Sequence, residues 1–351
     1  MIKPHSLRTL LLIVLILPGL LAGCASRPAH ASLATRLPLP SATQLAQVTQ
    51  VTQVAQAAMP ATVTPSPSLA ATPAQEASTA PATTPRLETP SQPAEVSATP
   101  AGGHAPDSWR SLPIIPTVSD RARAIYQAGL GQGNLEHAFS KIGDCESQAV
   151  WFLTDFDHGP GAYSLGSFGY LQSVIDYYPG SFKRTSMAAK SSFNAASLMS
   201  PLWADRSACQ PDESPLDCEL RIWRPSLALV MLGTNDSPRP ADFEGNLRKV
   251  LDYLVGRGVL PVLATKADNL EGDNRINASI ARLAVEYDIP LWNNWRAMQP
   301  LPEHGLQDDG AHLTNGPNRF DDPKAMQSGW TVRNLTALQA LEAVWRGVTR
   351  K

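Results

Sequence analysis

The sequence from residue 107 to 351 predicts an α/β domain, a three-layer α/β/α sandwich with a mainly parallel sheet. Three observations carry that expectation. Residues 227–232 form an apolar run without a polar break, which suits a strand covered on both faces. Apolar runs and stretches of helical spacing then alternate, the pattern of a parallel sheet with crossover helices. Glycine closes two of the runs, Gly143 after residues 138–142 and Gly233 after residues 227–232.

The elements follow in order. Residues 119–130 read as a helix, with Ser119 as N-cap before Asp120. Residues 138–142 are the first buried strand. Residues 151–180 are rich in Gly, Tyr and Phe without a clear period; loops and short helices near a cleft are expected, with 167–178 the best helical stretch. After strand 227–232, residues 243–257 place Leu247, Val250, Leu251 and Leu254 on one helix face and set Glu244 against Arg248 at i,i+4. Residues 259–265 are a further strand, 275–287 a helix, 290–292 a short strand and 330–345 a closing helix. Ligands of such sheets sit at the carboxyl ends of strands, so Gly143-Asp144-Cys145 and Gly233-Thr234-Asn235-Asp236 are expected at one edge.

The rest of the chain has a different composition. A net charge of −2 over 351 residues shows none of the basic excess a nucleic-acid partner requires. Length alone suggests two domains, but the first third is not globular in composition. Residues 1–24 read as an export signal: Lys3, His5 and Arg8 precede an apolar run from Leu10 to Leu21, broken by Pro18 and Gly19. The run is shorter than the ~20 apolar residues of a spanning helix, which favours cleavage over anchoring. Leu21-Ala22-Gly23-Cys24 resembles a bacterial lipobox, in which the cysteine is acylated and becomes the mature N-terminus; an ordinary signal that happens to hold a cysteine is the alternative. A lipidated Cys24 implies a partner in the membrane of the bacterial cell envelope, with the rest of the chain on its extracytoplasmic, oxidising side. Residues 25–106, built of Ala, Pro, Thr, Ser and Gln, cannot bury enough apolar surface to order themselves and read as an extended linker.

Three short blocks in the domain carry the chemistry: Gly143-Asp144-Cys145, Gly233-Thr234-Asn235-Asp236 and Asp309-Gly310-Ala311-His312. An Asp and a His three residues apart can fix one imidazole tautomer and leave the other nitrogen as a general base. Such a base activates a neighbouring hydroxyl or thiol, and an Asn amide can donate to the oxyanion of acyl transfer. In order and spacing the blocks resemble those of the SGNH, or GDSL-like, hydrolase superfamily: Gly-Asp-Ser, Gly-x-Asn-Asp and Asp-x-x-His. The resemblance covers roughly residues 135–347 and implies an SGNH-hydrolase-like, flavodoxin-like sheet. It also implies a catalytic set of Cys145, His312 and Asp309, with an oxyanion hole from Cys145, Asn235 and the block around Ser192.

Two departures stand out. Cys145 occupies the position of the family's serine, and Ser192 stands where the family has glycine, with a Cβ that disfavours the required backbone conformation. Two readings follow. One is an acyl-ester hydrolase using a thiol nucleophile on a small-molecule or polysaccharide ester, such as an acylated carbohydrate. The other is a catalytically silent lipoprotein that binds a glycan or another ligand in the same cleft. Ser147 is a third, weaker nucleophile candidate, two residues beyond the turn.

Cys209 and Cys218, nine apart in Asp-, Pro- and Ser-rich sequence, read as a disulfide closing a surface loop. Cys145 is then an unpaired thiol. His158, His304 and Asp308 are further cleft candidates, with ordinary loop roles as the competing reading. Trp151, Tyr163, Phe168 and Tyr170 can form a stacking or acyl-binding wall, or simply core. No metal pattern such as H-E-x-x-H and no phosphate loop occurs, so no metal or cofactor is expected. A monomer is expected.

Overall fold

The computed structural model describes residues 107–148 and 150–350. The expected signal peptide, Cys24 and the 25–106 linker lie outside the described residues.

The apolar runs form a parallel sheet. Its strands are β1 (Leu135–Gly143), β2 (Pro225–Met231), β3 (Leu260–Ala264) and β4 (Leu291–Trp292), paired in that order. Every residue of β2 and β3 is buried, as the unbroken apolar runs require of strands covered on both faces. On the free side of β1 a single parallel bridge joins Gly143 to Ala189. Counting that segment, the chain steps one way from β1 to Ala189 and the other way to β2. The carboxyl end of β1 is therefore the switch point at which a doubly wound sheet opens a crevice.

Helices cover the sheet: α1 (Asp120–Gly131), α2 (Gln172–Tyr177), α3 (Pro215–Trp223), α4 (Pro240–Gly256), α5 (Arg275–Tyr287), α6 (Asn294–Met298) and α7 (Gly329–Thr349). α4 packs on α5, whereas α7 packs with α1, α2 and α6. α4 buries Phe243, Leu247, Val250, Leu251 and Leu254, the face its spacing predicts. Each such side chain contributes roughly 1.5–3 kcal/mol. Ser119 caps α1, accepting from the Ala122 N–H at 3.0 Å. Among the described residues no helix is long and apolar enough to cross a membrane.

Two local expectations are corrected. The stretch expected as one helix over 167–178 is a 3-10 segment, Gly166–Leu171, kinked at Phe168, followed by the shorter α2. Gly166 and Gly169 weaken the helix at that point. The Cys209–Cys218 disulfide forms, but it does more than close a surface loop, because Cys218 is buried on α3. The missed helix has a capping box. Ser214 Oγ accepts from the Asp217 N–H at 3.2 Å, and Asp217 Oδ2 accepts from the Ser214 N–H at 3.1 Å.

Candidate active site

β1 ends where no side chain fits. A Cβ on Gly143 would lie 2.2 Å from the Met231 carbonyl oxygen and 2.3 Å from Ser147 Oγ. The chain then turns into a 3-10 segment, Cys145–Ser147, capped by Asp144, whose Oδ1 accepts from the Glu146 N–H at 3.0 Å. This turn leaves the Cys145 thiol half-buried, the one free cysteine among the described residues. Ser147 is buried beneath the turn at 1 % exposure, so it cannot serve as a displaced nucleophile.

The second block is held equally tightly. Gly233 has φ 125°, and a Cβ there would meet Ile276 Cγ2 at 2.6 Å. Beneath it, Thr234 Oγ1 donates to Asp268 Oδ2 at 2.7 Å, and buried Lys266 donates to Asp268 Oδ1 and Glu271 Oε2, each at 2.6 Å. Asn235 Nδ2 donates to the Phe193 carbonyl at 2.9 Å, and the Asp236 carboxylate accepts from the Ala195 N–H at 3.2 Å. The same segment reaches β1, where the Gly143 N–H donates to the Ala188 carbonyl at 3.0 Å and the Lys190 N–H to the Gly143 carbonyl at 3.2 Å. Residues 188–195 thus stitch the first block to the second, with Ser192 between the stitches.

Ser192 has φ 70°. Its Cβ was the reason to doubt this position, yet the chain adopts the left-handed conformation that glycine supplies, at a cost of roughly 1–2 kcal/mol. Among the described residues, the N–H groups of Cys145 and Ser192 donate to no backbone carbonyl. Asn235 has a second amide N–H beyond the one given to Phe193.

The third block brings the base. Asp309 Oδ1 accepts from the N–H groups of Ala311 at 2.9 Å and His312 at 3.0 Å. Its Oδ2 lies 2.6 Å from His312 Nδ1, and His312 Nε2 lies 3.5 Å from Cys145 Sγ. A proton on Nδ1, held by the carboxylate, leaves Nε2 free to accept from the thiol. The base loop is tied to the nucleophile turn by the Leu313 N–H, which donates to Glu146 Oε1 at 3.3 Å.

Charge at the site is arranged around the thiol. Burial, reinforced by Glu146, pushes Asp144 up to about 7. Burial, then the charges of Asp144 and Glu146, push the Cys145 thiol up to about 11. The hydrogen bond to Asp309 raises His312 above its ordinary value, and the backbone donors of His312 and Ala311 hold Asp309 down at about 2. Burial raises Asp236 to about 6. At neutral pH Cys145 thus rests as a thiol rather than a thiolate.

Glu146 and Arg333 were not anticipated from the sequence. Arg333 on α7 is fully buried, donates to the Glu146 carbonyl, lies 3.6 Å from Glu146 Oε2 and stacks over Phe152 at 4.1 Å. The available signal was an arginine set between Trp330, Val332 and Leu335 in the first turns of the closing helix. Of the weaker candidates, His158 and Asp308 are exposed, and exposed His304 has its Nδ1 3.1 Å from the Gln299 carbonyl. Tyr163 and Phe168 pack on the core, while Trp151 and Tyr170 are half exposed, at 52 % and 50 %.

Fold and geometry define an α/β protein with a Cys–His–Asp arrangement at the carboxyl edge of a parallel sheet. No protein-family model matches the chain, and no curated protein matches it. Among solved structures, the chain is similar to an acetyl esterase mutant with acetate ion, at 15 % identity and a TM-score of 0.37, over 58 % of this chain and 98 % of that one.

Proposed function

We propose that the chain is an acyl-ester hydrolase of the SGNH type working through a Cys145–His312–Asp309 triad. We further propose that it is held by a lipidated Cys24 on the outer face of an envelope membrane. The observation that supports the triad is the position of His312, with one ring nitrogen 2.6 Å from the Asp309 carboxylate and the other 3.5 Å from the thiol.

In this mechanism Cys145 Sγ attacks the acyl carbonyl carbon as its proton passes to His312 Nε2. The raised pKa of the thiol makes attack and proton transfer concerted, as for a serine, rather than an attack by a preformed thiolate. Asp309 stabilises the imidazolium that forms. The N–H groups of Cys145 and Ser192 and the second amide N–H of Asn235 serve the oxyanion, and one such donor is worth about 3–4 kcal/mol. Collapse breaks the C–O bond, and His312 returns the proton to the leaving alcohol. Water, deprotonated by the same imidazole, then cleaves the thioester to a carboxylic acid and the free thiol.

A high thiol pKa and an Asn235 amide partly committed to Phe193 favour the second reading, a silent cleft that binds a ligand. One experiment separates the two. Hydrolysis of p-nitrophenyl acetate, lost in Cys145→Ala and after iodoacetamide treatment at pH 9, is the result expected of the triad. No hydrolysis by either the native chain or Cys145→Ser sinks the hydrolase reading and leaves the binding one.

A further inference from the structure

The segments that leave Cys145 and His312 are separated by a cavity of about 480 Å³, floored by α7. Trp151, Thr154 and Asp155 line it from the first segment, and Asn315 and Asn318 from the second. The Trp151 ring is 52 % exposed although it packs near Trp330, with ring centroids 6.2 Å apart and planes 29° apart. Trp330 is in turn backed by the Arg333 guanidinium, 5.0 Å from its ring centroid. This exposed aromatic surface is therefore held in place before any ligand arrives, which lowers the entropic cost of binding.

The polar groups around it are also fixed. Asn334 accepts from the Leu153 N–H at 3.2 Å, and its amide donates to the Trp151 carbonyl at 3.3 Å and to Asn318 Oδ1 at 3.0 Å. Asn318 Nδ2 donates to Asp155 Oδ2 at 2.9 Å. Thr154 contributes to the wall through its other atoms, since its Oγ1 is buried behind the lining. Asp155 is the one charged residue of the lining, so the cavity suits a neutral molecule.

A long acyl chain needs apolar walls throughout, which this lining lacks. A pyranose ring matches it better, because its C–H face packs on an aromatic ring while its hydroxyls reach amides and a carboxylate at the rim. We propose that this cavity is a saccharide subsite that takes a neutral pyranose unit stacked on Trp151. As the subsite for the alcohol part of an ester it rests on the hydrolase reading; as a binding site it does not.

The test is calorimetric titration of the full chain in detergent with cellopentaose, xylopentaose and N-acetylchitopentaose. Saturable binding of at least one is expected, weakened about tenfold or more in Trp151→Ala and largely restored in Trp151→Phe. Cys145→Ala is expected to bind as the native chain does, since Cys145 does not line the cavity. Absence of saturable binding by all three sugars, or equal affinity in Trp151→Ala, overturns the subsite. Binding without hydrolysis would remove the triad and keep the subsite; hydrolysis without binding would do the reverse.

Discussion

At residue 145 a sulfur atom stands between two buried acids, and their charges oppose its ionisation. Neutralising Asp144, whose charge acts more strongly on the thiol than that of Glu146, tests this effect apart from burial. In Asp144→Asn the thiol is expected to ionise at lower pH, read as an acid-ward shift in the pH profile of Cys145 alkylation by iodoacetamide. The same substitution bears on stability. Folded Asp144 holds its proton up to about 7, whereas the unfolded group releases it near 3.8. The folded state thus binds more protons between those values, and native stability falls as pH rises from about 4 to 7. The Asp144→Asn variant is expected to lose part of that slope in melts across the same range, with Glu146 and Asp236, also raised by burial, contributing with the same sign. For His312 the sign concerns activity. Catalysis needs the neutral imidazole, and Asp309 raises its pKa, so kcat/KM is expected to fall with acidity along a limb lying above the ordinary histidine value. Asp309→Asn is expected to move that limb to lower pH and to reduce kcat by about 10²–10⁴-fold, because the tautomer is no longer held.

The elements differ in how openly the sequence declares them. α5 falls over residues 275–287 as its spacing predicts, and β2 and β3 lie within a residue or two of their apolar runs. α3 was missed because its Pro- and Asp-rich start resembles a loop, although Ser214, Pro215 and Asp217 are a helix-start signal. α7 is the element on which the site rests most, and its apolar pattern concealed why. It carries Arg333 into the core under the nucleophile turn, where the guanidinium is paired with Glu146. Arg333→Met leaves the Glu146 carboxylate buried without its partner and is expected to cost about 3–5 kcal/mol in denaturant unfolding. The double variant with Glu146→Gln is expected to recover part of that loss, since the two groups share one interaction.

For the whole molecule, the sheet gathers residues far apart in the chain at one edge. Residues 143–147, 188–195, 233–236 and 309–313 meet there through backbone and side-chain hydrogen bonds. The Cys209–Cys218 bridge lies elsewhere and acts on stability rather than on chemistry. It closes a loop with a sequence separation of nine, so reduction is expected to lower stability by about 2–3 kcal/mol while leaving p-nitrophenyl acetate hydrolysis unchanged below the melting point. The sequence by itself determined the α/β class, the four strands and the identity of the three blocks, because apolar period, glycine punctuation and residue type are local properties. Tertiary structure alone decided that Ser192 adopts a left-handed backbone, that Ser147 is sealed under the turn, and that two buried acids and Arg333 set the charge around the thiol. Those features depend on close approach between segments distant in sequence, and on burial, which no local pattern encodes.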